Sequence, residues 1–494
     1  MIRFLLNNQP QEIEHCDPNM TVLEYLRDEL NDTATKEGCA SGDCGACTVA
    51  FVELVNGELK YRTANSCITF VGNLHGKQLI TAAHLKEDQQ LHPVQQAMVD
   101  QHGSQCGFCT PGIVMSLFAL EKRSDSYNRA DTLEALSGNL CRCTGYRPIM
   151  DAAVQMYEPS ADDQFVRNQE HTKKQLSKIA NDSAELIELS NGNNHYYAPA
   201  TLQQALELVR DHPKARLVCG GTDLALEVTQ QLKEIPLMID LSRTAELNSI
   251  TVDEQQIVIG AARSIDSSVE TIKQHYPEFA EMLGRFAAKQ VRQQGSFGGN
   301  VGNASPIGDI PPVLLALNAT LTLKSASDCR DVPTDEFFTG YRQTVLQPNE
   351  LIAHINIPLP TANSHCKVYK ISKRQDDDIS AVLAAFNFTI DDNNIVTDAR
   401  LGFGGMAATP KRATATEQAL IGQPFTQASI DSAQTKIADD FQPLSDMRAT
   451  SDYRLEVSRN LLQKAFVEIA LAAKGDNSNT FFVDATQTRI CSHA

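Results

Sequence analysis

Apolar and polar positions alternate with the two-residue period of β-strands near the start of the chain. Residues 2–8 form an apolar run that ends in polar residues. Two further runs, at residues 47–54 and 60–63, flank the dipeptide Asn56-Gly57, which favours a tight hairpin turn. We therefore predict that this part of the chain contains a small β-sheet.

Apolar residues at helical spacing mark two other parts of the first 155 residues. Thr21 lies three positions before Glu24, the spacing of a capping box, and predicts a helix start. From residue 93 to 154 the helical period dominates, as at Val94 and Ala97. Each predicted helix there begins or ends at a group of cysteines. The pattern indicates a small α+β unit followed by a helical unit.

The remaining two thirds of the chain contain further patterns. Residues 158–194 are polar and charged, which is typical of a linker that lies over a surface. From residue 197 to about 365, strands and helices alternate with glycine-rich turns. The last 125 or so residues have a strand at residues 398–403 and a helix at residues 452–473. These changes predict several domains.

Composition and charge exclude some classes of protein. Of the 494 residues, 42% are hydrophobic and 21% are charged, as in ordinary globular proteins. The net charge of −18 argues against nucleic acid or an anionic membrane surface as a partner. No apolar stretch reaches the roughly 18 residues of a membrane span, and the N-terminus lacks a secretory pattern. We therefore expect a cytoplasmic protein.

The 13 cysteines are unevenly distributed. In a reducing compartment, clustered cysteines are metal ligands or redox groups more often than disulfides. Eight fall in tight groups before residue 144. These eight are Cys39, Cys44, Cys47, Cys67, Cys106, Cys109, Cys141 and Cys143. Five others are scattered and are expected to be inert thiols: Cys16, Cys219, Cys329, Cys366 and Cys491.

The first cysteine group has the spacing C-x4-C-x2-C, with a fourth cysteine twenty positions later. This is the plant-type [2Fe–2S] pattern. Glycines at 38, 42 and 45 suit a loop that needs positive φ angles and backbone N–H groups turned toward sulfur. A zinc knuckle or chance clustering is the alternative, but zinc sites usually use two C-x2-C pairs.

The second group combines a C-x2-C pair at residues 106 and 109 with a C-x-C pair at residues 141 and 143. Taken alone, this group could bind zinc. Beside the first group, and in a helical segment, a second [2Fe–2S] cluster fits better.

The residues around the second group have a specific resemblance. Residues 105–112, QCGFCTPG, and 139–146, NLCRCTGY, resemble the helical [2Fe–2S] domain of the molybdenum hydroxylases, the xanthine dehydrogenase and aldehyde oxidase family. The plant-type motif is similar to the first domain of the same family. The resemblance covers residues 1–155 and implies two clusters, the second nearer a molybdenum cofactor and the first relaying electrons to a flavin.

Two segments beyond residue 195 have features of a flavin site. Residues 216–224 form a strand, a Gly-Gly turn and a helix start, where backbone N–H groups can approach a pyrophosphate. Residues 295–309 contain five glycines among small polar residues, which suits the lining of a cofactor groove. The first segment alone is weak evidence. Both resemble the flavin domain of the same family, in the order found there.

The resemblance implies FAD-binding positions in this chain. Residues 217–224 would surround the pyrophosphate, residues 296–300 and 309 would hold ribityl and ribose oxygens, and the rest would complete the isoalloxazine site. The implied residues are Leu217, Val218, Cys219, Gly220, Gly221, Thr222, Asp223, Leu224, Phe286, Ser296, Phe297, Gly298, Gly299, Asn300, Asp309, Ile352 and Lys370.

Two more positions resemble residues near a nicotinamide or the flavin ring. They are Tyr341 and Asp377, the latter in an acidic segment; without the resemblance both would be ordinary surface residues. Residues 402–407, GFGGMA, fit the dinucleotide fingerprint G-x-G-x-x-A. Because Pro410 interrupts the helix that the fingerprint requires, we interpret this segment as a strand end and turn.

The resemblance implies an α+β multidomain fold with four units and a linker. The units are a β-grasp ferredoxin-like domain at 1–85, a helical-bundle [2Fe–2S] domain at 86–157, a linker at 158–194, an α/β FAD-binding domain of the vanillyl-alcohol-oxidase type at 195–365, and an α+β flavoprotein C-terminal domain at 366–494.

The implied function is that of an electron-transfer subunit. No segment resembles the molybdenum-binding domains. The resemblance therefore implies a separate large subunit that holds the molybdenum cofactor, an (αβ)2 heterotetramer, NAD⁺ as electron acceptor, and oxidation of hypoxanthine and xanthine to urate in purine catabolism. Two alternatives stay open: the same kind of subunit for an aldehyde, nicotinate or isoquinoline, and a non-enzymatic iron–sulfur redox sensor.

Overall fold

The computed structural model describes residues 1–158, 163–181 and 186–473. Cys491 and the last part of the expected C-terminal domain, residues 474–494, lie outside the described residues. In the part of the chain that is described, no helix combines the length and apolar character needed to cross a membrane.

The N-terminal region is a five-stranded sheet in the order β2-β1-β5-β3-β4. Its strands are β1 (Ile2–Leu6), β2 (Gln9–Ile13), β3 (Thr48–Val55), β4 (Glu58–Asn65) and β5 (Gln78–Ile80). Strands β1 and β5 are parallel, and the other neighbours are antiparallel. The predicted hairpin turn is confirmed, because Asn56 and Gly57 both have positive φ angles between β3 and β4.

A short helix begins at the predicted capping residue. Helix α1 (Val22–Glu24) continues as one π-helical turn to Glu29. The Thr21 hydroxyl accepts from the Glu24 amide, and the Glu24 carboxylate accepts from the Thr21 amide. The capping box predicted from the sequence is therefore confirmed.

The second region is helical, as the apolar spacing predicted. It contains α2 (Pro93–Asp100), α3 (Thr110–Glu121), α4 (Arg129–Leu136) and α5 (Arg147–Gln155). Helix α3 starts directly after Cys109, and its residues from Gly112 to Leu120 are all buried. This helix is the centre of the second region.

Strand β3 explains how the first two regions pack together. Val49 and Phe51 belong to the core on one face of the sheet, whereas Ala50 and Val52 belong to the core formed with the helices. Because successive side chains of a strand point to opposite faces, a strand buried on both sides is a continuous apolar run. The helical region therefore covers one face of the N-terminal sheet.

The expected linker is folded over much of its length, which corrects the interpretation of residues 158–194. It forms α6 (Gln164–Arg167), α7 (Gln169–Asn181) and β6 (Ile187–Asn191), and residues 159–162 and 182–185 lie outside the description. Strand β6 belongs to the sheet of the next domain, so the predicted boundary at residue 194 falls too late.

Residues 163–181 are mostly polar, but a few apolar side chains in this segment are buried. Phe165 and Leu176 are buried, and α7 contacts β1, β3 and β4 of the N-terminal sheet. Asp163 also fixes the start of α6: its carboxylate accepts from two amides of that helix and pairs with the side chains of His92 and Lys122. A few apolar anchors and one buried ion pair are enough to dock the segment.

The third region contains two sheets. The first has the order β6-β7-β9-β8, with β7, β9 and β8 parallel. Its further elements are β7 (Asn194–Ala198), α8 (Leu202–Asp211), β8 (Arg216–Val218), α9 (Ala225–Thr229) and β9 (Leu237–Asp240). This sheet shares one hydrophobic core with the N-terminal sheet, including Phe70 from the N-terminal region and Tyr196 from β7.

The second sheet of the third region is antiparallel, in the order β10-β11-β16-β12-β13. Its strands are β10 (Ile250–Val252), β11 (Gln256–Gly260), β12 (Thr320–Lys324), β13 (Cys329–Pro333) and β16 (Leu351–Pro358). The associated elements are α10 (Ile265–His275), α11 (Pro277–Gly284), α12 (Lys289–Gln294), α13 (Phe297–Gly302), α14 (Ile310–Ala316), α15 (Thr334–Phe337), β14 (Phe338–Gly340) and β15 (Gln343–Thr344).

The last described region is a four-stranded antiparallel sheet with helices. It contains β17 (Ser364–Ile371), β18 (Val382–Ile390), β19 (Val396–Gly404), β20 (Lys411–Arg412), α16 (Thr414–Leu420), α17 (Gln427–Gln434), α18 (Ile437–Asp440) and α19 (Ser451–Ala473). Strand β19 ends at Gly404, and Gly405 has a φ of 79°. The interpretation of the GFGGMA segment as a strand end and turn is confirmed.

Replacing Leu176 with alanine tests the corrected account of the linker. Leu176 is 1% exposed, so the substitution should destabilise the docked α7 by about 2–5 kcal/mol. We expect faster proteolysis within residues 163–181 and a lower unfolding midpoint of the N-terminal half. The exposed neighbour Lys174→Ala is the control; equal behaviour of the two variants would contradict the docking.

Candidate redox centres

The first cysteine set lies on the loop before β3 and on the short turn after β4. The sulfurs of Cys47 and Cys67 are 3.2 Å apart. The thiols of Cys39 and Cys44 form a second neighbouring pair, and Cys67 also lies beside Cys39. Four thiols that are dispersed over the sequence are thus brought into one group.

Backbone amides surround the sulfur of Cys39. It accepts hydrogen bonds from the amides of Ser41, Asp43 and Cys44 at 3.4, 3.3 and 3.3 Å. Donors to a thiolate stabilise its negative charge and tune the potential of any cluster that it holds.

The loop glycines have two different roles. Gly42 and Gly45 have φ angles of 82° and 68°, as the sequence predicted for a cluster-binding loop. Gly38 instead makes room, because a Cβ there would lie 2.8 Å from the sulfur of Cys44.

The second cysteine set lies at the start of α3 and before α5. Cys109 neighbours Cys141, and Cys106 neighbours Cys143. The Cys141 sulfur lies 3.2 Å from the hydroxyl of Thr144. The segment before α5 is therefore folded around this sulfur.

The arrangement of the thiols fits [2Fe–2S] clusters: the second set forms two neighbouring pairs, and the first set forms two pairs that meet at Cys39 and Cys67. Each iron of such a cluster takes two cysteine sulfurs, so four ligands should form two close pairs. A tetrahedral zinc ion would bring all four sulfurs equally close. Among the described residues, the only group whose potential ligand atoms are all close together is His92, Glu121 and Asp163, where the Lys122 amine already pairs with both carboxylates.

The two cysteine sets are adjacent. The amide of Leu140 donates to the carbonyl of Cys44 at 3.0 Å, and Leu140 directly precedes Cys141. A Cβ on Gly38 would also lie 3.5 Å from the ring of Phe108, which stands between Cys106 and Cys109. One hydrogen bond therefore joins a ligand residue of the first set to the neighbour of a ligand residue in the second.

The predicted pyrophosphate loop has the expected backbone. Gly220 and Gly221 follow β8 with φ angles of 74° and 73°, and the amide of Gly220 donates to the hydroxyl of Ser242 at 3.1 Å. A Cβ on Gly220 would lie 2.0 Å from the carbonyl of Gln294. Only glycine fits where this loop meets the second flavin segment.

A buried chain of hydrogen bonds supports that loop. The hydroxyl of Tyr196 donates to Asp240 at 2.9 Å, and the amide of Ser242 donates to the other oxygen of the same carboxylate at 2.8 Å. Burial and the adjacent carboxylate raise the pKa of Tyr196 well above its usual range. Burial also raises the pKa of Cys219 to about 12, so its thiol stays neutral beside the loop.

The second flavin segment forms α13 with its preceding turn. The Ser296 hydroxyl accepts from the Gly299 amide at 3.0 Å, and a Cβ on Gly298 would lie 2.5 Å from Ala261. The side-chain oxygen of Asn300 is buried and lacks a hydrogen-bond partner among the described residues. Because buried polar atoms are normally paired, this oxygen fits a hydroxyl of the ribityl chain.

The structure pairs two predicted FAD residues with each other. The Lys370 amine lies 2.5 Å from one oxygen of Asp309, and the Ser380 hydroxyl donates to the other at 2.6 Å. Both carboxylate oxygens of Asp309 are thus hydrogen-bonded to protein groups. The expected role of Asp309, binding of ribose oxygens, did not include these contacts. Nearby, Ile352 of β16 lies against Gly302 of α13, and Phe286 is partly buried on the core.

The first cysteine loop contacts helix α9, which directly follows the flavin loop. At the end of α9, the Thr229 hydroxyl donates to the carbonyl of Ala40 at 2.7 Å. The side-chain amide of Gln230 donates to the carbonyl of Cys39 at 3.0 Å. The ring of Phe70, three residues after Cys67, lies against Gly221. The spatial order is second cysteine set, first cysteine set, flavin loop.

The two remaining predicted positions differ from each other. Tyr341 is 64% exposed, next to the β14–β15 hairpin. Asp377 has a φ of 49°, and burial together with the negative charge of Asp43 raises the pKa of Asp377 to about 7. Asp377 is therefore a half-buried carboxyl within electrostatic range of Asp43 in the first cysteine loop, whereas Tyr341 is a surface residue.

Several residues at these sites were missed from the sequence. Ser242, Gln230 and Ser380 contact predicted site residues through single hydrogen bonds. None belongs to a motif, and each is common on protein surfaces. No sequence signal distinguished them from ordinary polar residues.

Four protein-family models match the chain. They are described as "2Fe-2S iron-sulfur cluster binding domain" at residues 4–72, "[2Fe-2S] binding domain" at 81–154, "FAD binding domain in molybdopterin dehydrogenase" at 190–360 and "CO dehydrogenase flavoprotein C-terminal domain" at 367–469.

Curated proteins and solved structures resemble the chain as well. Xanthine dehydrogenase of Emericella nidulans is 34% identical over 89% of this chain and 36% of its own length. The protein of the same name from Drosophila pseudoobscura pseudoobscura is 33% identical over 94% of this chain and 39% of its own length. A carbon monoxide dehydrogenase chain from Hydrogenophaga pseudoflava has 26% identity and a TM-score of 0.52, covering 55% of this chain and 94% of its own.

The fold, the paired thiols and the matched domains define an iron–sulfur flavoprotein with two [2Fe–2S] clusters and FAD. The chain belongs to the molybdenum hydroxylase family, of which it represents the iron–sulfur and FAD portion. It spans between a third and two fifths of the length of the curated relatives described above. The family, the two [2Fe–2S] clusters and FAD expected from the sequence are confirmed.

Replacing Cys141 with serine tests the second ligand set. We expect one of two distinguishable iron–sulfur EPR signals to disappear and the iron content to fall by about half, because each cluster needs four thiolates. The control is Cys329→Ser, which removes an exposed cysteine outside both sets. Two intact signals in the Cys141 variant would refute the ligand assignment.

Replacing Gly220 with alanine tests the flavin loop. A side chain at this φ of 74° would also collide with the Gln294 carbonyl, so FAD content should fall while iron and sulfide are retained. The matched control is Gly422→Ala, at a φ of 81° with open space around the position. Full FAD occupancy in the Gly220 variant, measured by the flavin absorbance of the purified protein, would contradict the assignment.

Proposed function

We propose that this chain is the electron-transfer subunit of a xanthine dehydrogenase. In this proposal, hypoxanthine and xanthine are oxidised to urate at a molybdenum cofactor on a partner subunit, and the electrons are delivered to NAD⁺. The observation that carries the proposal is the spatial order of the sites, in which the first cysteine loop contacts both the second set and helix α9, which follows the flavin loop. The names of the similar proteins support the purine substrate.

The residues of this chain have distinct tasks in the proposed relay. When bound, [2Fe–2S] clusters exchange single electrons and FAD combines two of them, which suits delivery of a hydride to a nicotinamide. The eight cysteines hold the clusters, and the amides around Cys39 stabilise negative charge there. Gly220 and Gly221 let backbone amides approach the pyrophosphate.

The proposed partner is a large subunit with the molybdenum cofactor, in an (αβ)2 heterotetramer. Its contact surface would surround Cys106 and Cys143, which are the exposed members of the second set. Phe108 and Leu140 beside them are 47% and 44% exposed. Large apolar side chains exposed next to a redox site are typical of a surface that a partner covers.

We propose that the electron acceptor, NAD⁺, binds to the flavin-binding domain. NAD⁺ would bind near Tyr341, whose exposed ring could contact a nicotinamide, and near Asp377. We propose the cytoplasm as the compartment, because free clustered thiols require reducing conditions during cluster assembly.

A second candidate is the same kind of subunit for another substrate. The structural similarity to a chain of a carbon monoxide dehydrogenase favours it, because that enzyme is named for a substrate other than a purine. The substrate is decided by the molybdenum-containing subunit, so the relay in this chain would be unchanged.

The purified chain with its cofactors tests the proposal. It should reduce an artificial dye with NADH and leave xanthine unoxidised, because every residue assigned to it serves electron transfer. Adding the large subunit should restore xanthine oxidation with NAD⁺, in a complex that contains molybdenum.

Three outcomes would contradict parts of the proposal. Xanthine turnover by the chain alone would refute the need for a partner. A complex that oxidises an aldehyde or a heterocycle but not xanthine would favour the second candidate. Failure of NADH to reduce the dye in a chain with full FAD would refute NAD⁺ as the acceptor.

A further inference from the structure

The side chain of Asn139 lies where three regions of the protein meet. It is 2% exposed and stands two positions before Cys141. Its amide nitrogen donates to the carbonyl of Gly45 at 3.0 Å and to the hydroxyl of Thr48 at 3.2 Å, both in the first cysteine domain.

The oxygen of the same side chain has two further partners. It accepts from the hydroxyl of Ser116 on α3 at 2.6 Å and from the side-chain amide of Gln290 on α12 at 3.0 Å. A primary amide offers two donors and two acceptor positions, and all four are used here. Asn139 therefore connects the first cysteine domain, the helical domain and the flavin domain through one saturated group.

Close backbone packing surrounds this amide. A Cβ on Gly45 would lie 2.1 Å from the carbonyl of Gly138, and one on Gly112 would lie 2.1 Å from the carbonyl of Gly45. A Cβ on Gly138 would lie 2.2 Å from the side-chain oxygen of Gln290. The three glycines thus allow the backbone segments to approach closely, and the side chain of Asn139 is the polar group between them.

The hydrogen bonds of Asn139 lie next to the backbone hydrogen bond that joins the two cysteine sets, between Leu140 and Cys44. Gly45 directly follows Cys44, whose carbonyl accepts from the Leu140 amide at 3.0 Å. Leu140 lies between Asn139 and Cys141. Holding Gly45 against Asn139 therefore holds the Cys44–Leu140 hydrogen bond in register.

We propose that Asn139 is a positioning residue for electron transfer between the two clusters. It fixes the separation and orientation of the two cysteine sets, a role that rests on the proposed relay. The step that it serves moves one electron, oxidising one cluster and reducing the other, and no bond is made or broken.

The chemistry of the site explains why an amide is needed. Aspartate has the same shape, but its carboxylate has no donor and would face the carbonyl of Gly45. Alanine would leave the Ser116 hydroxyl without its acceptor in a buried place, which is costly, and would remove one of the three donors to the Gly45 carbonyl. Neither residue can hold the two loops as asparagine does.

The experiment compares Asn139→Asp with the wild-type full chain after both have been loaded with clusters and FAD. In the dithionite-reduced protein, the magnetic interaction between the two clusters splits their EPR signals and falls steeply with distance. We expect this splitting to change in the variant while both signals keep their full intensity. Electron transfer between the clusters, followed by rapid mixing, should slow on the order of tenfold, because small displacements of reacting groups strongly reduce rates.

Two further variants separate positioning from folding. Thr48→Val removes the bond from Asn139 together with those that the Thr48 hydroxyl makes to the Gly45 carbonyl and the Gln290 side chain. It loosens the same contact and should give a change of the same kind, even if Asn139→Asp folds poorly. Asn128→Ala removes the N-terminal cap of α4, in the same domain, and should lower stability without altering the splitting.

Unchanged splitting and an unchanged rate in both Asn139→Asp and Thr48→Val would overturn the inference. The same change in Asn128→Ala would also overturn it, since loss of stability would then be sufficient. These measurements use a chemical reductant and need neither NADH nor a partner subunit. Failure of the proposed function would be detected separately, in the dye and xanthine assays.

Discussion

Between the two cysteine sets, three stretches of backbone approach one another at glycines, with the side chain of Asn139 hydrogen-bonded among them. The glycines at 45, 112 and 138 allow this approach, and each would collide with a neighbour if it carried a Cβ. The carbonyl of Cys44 thereby accepts directly from the amide of Leu140. The other parts of the redox structure depend on this contact, because it fixes where one cysteine set lies relative to the other.

The flavin side is built on the same principle. Gly220 and Gly221 bring the loop after β8 against Gln294 and Phe70, so the flavin domain meets the first cysteine domain at the loop that would hold the pyrophosphate. The two domains also share one hydrophobic core. The cysteine sets and the flavin loop therefore lie near boundaries between domains. The distances between these sites depend on how the domains pack against one another.

Local patterns in the sequence were informative where short-range chemistry decides the structure. The capping box at Thr21 and the hairpin turn at Asn56-Gly57 formed as predicted, because both depend on neighbouring residues. The linker prediction for residues 158–194 was wrong in extent. Its polar composition indicated a linker lying over a surface, but residues 164–181 form helices, with Phe165 and Leu176 buried, and β6 belongs to the next sheet.

The sequence by itself determined the grouping of the eight cysteines predicted as ligands and the glycine turns of the first loop, because ligand spacing and positive φ angles are local requirements. Only the tertiary structure decided how the thiols pair, which pair is exposed, and that Asp309 is held by Lys370. It also decided the position of Asn139, which contacts Gly45 across 94 positions of the chain. Contacts of that kind depend on the packing of whole domains, and no local pattern encodes them.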